Sequence, residues 1–80
     1  MRIEYIVYVL KDEKGNFYKG VTNNLERRIK QHISGQTRST RNMKNIRVVY
    51  TETFKEFENA RKRELYFKSA AGRKFLKKQL

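Results

Sequence analysis

IVYVLKDEKGNFYKGVTNN, residues 6–24, sets two runs rich in β-branched and aromatic residues on either side of a charged turn containing Gly15. That pattern is a β-hairpin, with strands over residues 3–10 and 16–22. Glycine in the turn supplies the left-handed backbone that a five- or six-residue loop needs. Each strand carries a tyrosine, Tyr8 and Tyr18. If the two lie opposite each other, the loop is residues 11–15 and both rings project from one face. A slip of one residue would place them on opposite faces. Gly20 stands inside the second strand, where glycine weakens pairing unless something must approach the backbone closely.

Outward from the hairpin, the order is strand, strand, helix, strand, helix, helix. A helix over residues 24–34 takes Asn23 as its N-cap, with Glu26 completing a capping box, and Gly35 ends it. Leu25, Ile29 and Ile33 recur every four residues and should face a sheet, with Arg28 and His32 along the edge of that stripe and Arg27 and Lys30 farther round. Residues 36–46 are polar, basic and without periodicity, a loop carrying Arg38, Arg41 and Lys44. RVVYTETF, residues 47–54, reads as the third strand. The closing segment GRKFLKKQL reads as a solvated basic face, with Phe75 and Leu76 docking it. The fold class is α+β, a three-stranded antiparallel sheet flanked by helices.

The chain has 80 residues, which is the size of one domain, 1–80, with a thin core. Twenty Lys and Arg against eight Asp and Glu give a net charge of +12, which calls for a polyanionic partner, nucleic acid by default. Cysteine is absent and histidine occurs once, which excludes disulfides, thiolate metal sites and histidine-cluster zinc sites. No long apolar segment opens the chain, so neither membrane association nor a signal peptide is expected, and the cytoplasm is the expected location.

The second helix, starting near Phe57, contains the sharpest feature. At 100° per residue Phe57, Ala60, Phe67 and Ala71 share one stripe, and Glu64 falls within it, while Glu58 falls outside. An ionised carboxylate on a core-facing stripe must be paired, neutralised or bound to metal. Lys68, one turn later, offers an ordinary helix salt bridge. The other possibility is that Tyr8, Tyr18, Arg28, His32 and Glu64 converge on one crevice, if both helices pack on the same sheet surface. Such a set has the parts for phosphodiester hydrolysis: a base for water, a cation for the phosphoryl charge, and a carboxylate for a metal ion.

These motifs together, VY at 7–8, YKG at 18–20, NLERR at 24–28, His32, and ARKRELYFK at 60–68, resemble the GIY-YIG nuclease superfamily. The similarity is to its small stand-alone bacterial members, related to the nuclease domain of the excision-repair incision subunit. The resemblance implies a metal-dependent endonuclease with little sequence specificity, acting on nucleic acid, DNA first, with a possible place in DNA repair. It implies catalytic roles for Tyr8, Tyr18, Arg28, His32 and Glu64, either tyrosine serving as base. Glu64 would hold Mg²⁺ or Mn²⁺, and no small-molecule cofactor is implied. Lys19, Gly20, Arg27, Arg38, Arg41, Lys44 and Lys68 are candidates for contacting the nucleic acid, Gly20 by letting a phosphate or its water close to the strand. Ile6 and Lys19 depart from the family pattern, and no asparagine follows Asn59, where many members place one after the glutamate helix. A module that binds nucleic acid on the same fold without useful catalysis is the alternative. Oligomeric state is open.

Overall fold

The structure is a computed structural model that describes residues 3–80. Strands β1 (Tyr5–Lys11), β2 (Phe17–Thr22) and β3 (Arg47–Phe54) form an antiparallel sheet in the order β2-β1-β3. Helices α1 (Leu25–Ile33), α2 (Phe57–Lys68) and α3 (Ala70–Gln79) complete the expected β-β-α-β-α-α order. A single 3-10 turn at Arg38–Thr40 interrupts the basic loop.

The hairpin register differs from the one in which the tyrosines face each other. Tyr8 pairs with Gly20, and Leu10 with Tyr18. The offset is two residues, so both rings still project from the same face. The loop is residues 12–16, one step later than expected, because Asp12 organises it. Its Oδ1 accepts from the backbone N–H groups of Lys14 and Asn16, at 3.0 and 2.8 Å. Gly15 takes φ +86°, as the turn requires.

Alternation along β1 divides the molecule into two layers. Val7 and Val9 pack against Ala60 and Phe67 of α2 and Leu76 of α3, the principal core. Tyr8 and Leu10, equally buried, face the other way, and Tyr8 meets α1. The helices therefore do not share one sheet surface: α1 and α2 cover opposite faces.

Two stripes change with this arrangement. In α1, Leu25 and Ile29 are half-buried, Ile33 is 66% exposed, and the buried position belongs to His32. In α2, Ala60, Glu64 and Phe67 are buried as the stripe requires, but Phe57 is half-exposed. Ala71 is not in α2 at all. Ser69 ends that helix and caps α3 by accepting from the Gly72 N–H, which turns the chain and leaves Ala71 exposed. Phe75 and Leu76 dock α3 as expected, Phe75 stacking on Phe67 at 6.2 Å between centroids.

Candidate nuclease site

Tyr8, Tyr18, Arg28 and His32 come together on the α1 face of the sheet. The Tyr8 hydroxyl lies 2.8 Å from His32 Nε2 and accepts from Arg28 Nε at 3.3 Å. The Tyr18 ring meets the His32 ring edge-on at 4.9 Å and the Tyr8 ring at 6.3 Å. A second Arg28 donor, Nη1, reaches Gln31 Oε1 at 3.0 Å. Nε and Nη1 are thus engaged within the chain, and others of the guanidinium's five N–H donors stay available to a ligand.

Gly20 explains how Tyr8 reaches this position. A Cβ at residue 20 would stand 2.5 Å from the Tyr8 hydroxyl oxygen and 2.6 Å from the ring carbon that bears it. The phenol lies across β2 where any side chain would block it. What comes close to Gly20 is Tyr8, and Gly20 is buried beneath the ring, out of reach of a phosphate.

Thr40 is the member that the sequence did not reveal. It comes from the 3-10 turn, is 1% exposed, and places Oγ1 2.7 Å from His32 Nδ1. His32 is therefore buried with both ring nitrogens partnered, which is why α1 turns it, and not Ile33, toward the sheet. A polar loop without periodicity gives no signal for such a contact.

Burial separates the two tyrosines. Burial chiefly, with the neighbouring Tyr18 and Glu64, pushes the Tyr8 phenol up to about 12, against the pull of Arg28. Tyr18 is only half-buried. Burial and then the Arg28 charge hold His32 below the ordinary histidine range, so it is neutral at pH 7.

Glu64 approaches from the α2 side. It is 7% exposed, and its charge acts on Tyr8, but both oxygens are occupied within its own helix. Arg61 Nη1 bonds Oε1, and Lys68 Nζ bonds Oε2 at 3.3 Å. Among the described residues no group of three or more His, Cys, Asp or Glu is placed to hold a metal ion. A lone carboxylate still suits Mg²⁺, which takes one or two carboxylates and completes its shell with water and substrate phosphate. Arg61 and Lys68 are half-exposed and have room to swing away.

The remaining candidates spread over both layers. Lys19 lies on the α2 face, and burial together with Arg73 and Lys68 lowers its affinity for a proton. Arg27 is exposed beside the cluster, and Arg38, Arg41 and Lys44 are exposed on the loop. Arg41 Nε donates to the Gly35 carbonyl at 3.3 Å, and the Lys44 carbonyl accepts from the Glu13 N–H.

Comparison with known proteins places the chain in a family. A family model described as the GIY-YIG catalytic domain matches residues 4–78. A UPF0213 protein of Clostridium perfringens is 43% identical over 63 residues, 78% of this chain and 68% of the relative. One from Autographa californica nuclear polyhedrosis virus is 39% identical over 74 residues, covering 80% and 71%. The solution NMR structure of a UPF0213 protein from Bacillus halodurans superposes with a TM-score of 0.59 at 33% identity, over 95% of this chain and 84% of that one. The chain therefore belongs to the GIY-YIG nuclease family.

Proposed function

We propose that the protein is a divalent-metal-dependent endonuclease that hydrolyses phosphodiester bonds, with DNA as its first substrate and little sequence preference of its own. The observation that carries this reading is the posture of Arg28. Its guanidinium is held by Tyr8 and Gln31 with donors to spare, as a group that stabilises charge on a phosphoryl oxygen must be.

The two tyrosines divide the work. A phenol pushed up to about 12 and covered on all sides is a poor base for water. We assign Tyr8 to holding Arg28, and the half-exposed Tyr18, beside the same guanidinium, to handling the attacking water. His32 stands behind Tyr8. When Thr40 gives its proton to the Thr37 carbonyl, 3.5 Å away, it accepts Nδ1–H and leaves Nε2 as acceptor for the Tyr8 phenol. Glu64 is the residue that would hold Mg²⁺ or Mn²⁺, which would supply charge stabilisation at the leaving oxygen.

Nicking of supercoiled plasmid tests the reading. Wild-type protein should nick with Mg²⁺ or Mn²⁺, and Glu64→Ala should not while its far-UV circular dichroism is unchanged. A wild-type protein equally inert across both ions and several DNA structures would count against it.

One observation favours a second reading, a binding module without useful catalysis. Glu64 is already doubly paired, so an ion must displace two cations to reach it. On that reading the protein binds nucleic acid with log affinity falling about 0.9 per contacted phosphate against log salt, and never nicks. Salt-independent affinity would exclude it.

A further inference from the structure

Next to the Tyr8 and Arg28 cluster, a notch of about 370 Å³ opens between the starts of α1 and α2. That volume is at the lower end of the roughly 300–1,000 Å³ typical of small-ligand sites. Its walls combine Arg27, Arg28 and Gln31 from α1, Asn23 just before it, and the rings of Tyr5 and Phe57. Among the described residues no carboxylate lines it. Phe57 is 51% exposed yet fixed, edge-on to Tyr5 at 5.5 Å between centroids. A fitting ligand has a flat apolar part for Phe57, polar edges for the two amides, and negative charge for the two arginines.

We propose that the notch receives one unstacked base of a nucleic-acid strand whose adjoining phosphate lies on Arg28, so that the preferred substrate is single-stranded or locally unpaired. The proposal rests on Arg28 as the phosphate-binding group. In a perfect duplex both faces of every base are covered by neighbouring pairs, and a base must leave the stack before an aromatic ring can take it. Stacking on an aromatic side chain is tolerant of sequence, which suits the low sequence preference proposed above. Phe57 thus acts as a specificity residue for strandedness, separate from the hydrolytic groups.

The chain lacks tryptophan, so Phe57→Trp places a single tryptophan in the notch, excited selectively at wavelengths where the five tyrosines do not absorb. With EDTA present to prevent cleavage, a short single-stranded oligonucleotide should quench its emission. The same oligonucleotide made entirely abasic should not. By fluorescence anisotropy, Phe57→Ala should bind the base-bearing strand about 10-fold more weakly than wild type, the loss expected for one stacked base. Its binding of the abasic strand and of perfect duplex should not change. Wild-type protein should itself show the loss when the bases are removed, which needs no variant to fold. Equal affinity for base-bearing and abasic strands, or no quenching at residue 57, would overturn the proposal. Stacking without nicking would instead defeat the hydrolytic reading and leave the notch standing, whereas cleavage of single strands at the wild-type rate by Phe57→Ala would do the reverse.

Discussion

At Gly20 the Tyr8 phenol lies so close to the second strand that a Cβ would stand 2.5 Å from its hydroxyl oxygen. That something must approach the second strand follows from a glycine in a strand. That the visitor is the ring of Tyr8, and not a phosphate, depends on a register that turn chemistry at Asp12 shifts by two residues while the loop moves by one. Gly20→Ala should displace the phenol from His32 and destabilise the fold by roughly 1–3 kcal/mol, the usual cost of overpacking. Urea denaturation would measure it, and no change would mean that the ring does not cross the strand there. Thr40 carries a matched expectation. Thr40→Val leaves His32 Nδ1 buried without a partner and should cost about 1–3 kcal/mol, with Thr40→Ser restoring most of it.

His32 also gives stability a pH dependence with a defined sign. Burial and Arg28 lower its proton affinity in the folded chain, so the folded state binds fewer protons than the unfolded one. Stability is then fully present above the ordinary histidine value of about 6.5 and is lost as pH falls below it. The melting temperature should drop between pH 7.5 and 5.5, and the drop should shrink in His32→Gln. An identical drop in both would place the titration elsewhere. The sequence offered His32 on a stripe edge; only the buried partners on both sides turn it inward.

At the scale of the helices, α1 begins one residue later than its signals suggest. Asn24, not Asn23, is the N-cap, its Oδ1 accepting from the Arg27 N–H at 3.1 Å, because Thr22 and Asn24 bond each other at the strand exit. Glu26 consequently makes no capping box and pairs with Lys30 at 3.5 Å on the surface. Asn24→Ala should cost ~1 kcal/mol in thermal unfolding and Asn23→Ala much less. Equal losses would contradict the assignment. In α2 the helical period identified Glu64 as a buried acid without help from tertiary structure. It could not identify Arg61 as the second partner, nor that the stripe stops at Ser69. The corner between α2 and α3 is closed by Gly72, where a Cβ would stand 1.9 Å from the Tyr66 carbonyl oxygen. The Arg63 guanidinium stacks 4.6 Å from the Phe67 centroid and bonds Glu52 of β3 at 3.1 Å, fixing α2 to the sheet.

Across the whole molecule, element order and β3 were legible because hydrophobic period and turn residues agree there. The distribution of helices over two sheet faces was not, since alternation along β1 supports apolar packing on both sides. Tyrosines and arginine gather under α1, while Lys19 and Lys68 lie with Glu64 on the α2 side. Among the described residues no helix is long and apolar enough to cross a membrane, and a chain with a charge of +12 presents cations on both layers to a polyanion. Binding to single strands should therefore weaken with salt by about 0.7 in log affinity per contacted phosphate, and each exposed loop cation replaced by alanine should lower the slope without abolishing binding. The most direct measurement is the nicking rate of Arg28→Ala beside wild type on supercoiled plasmid in Mg²⁺ or Mn²⁺, with melting temperatures recorded for both. A hydrolytic site built around Arg28 predicts nicking by wild type and a loss of at least about 100-fold in a variant that still folds; nicking at the wild-type rate by folded Arg28→Ala would contradict it.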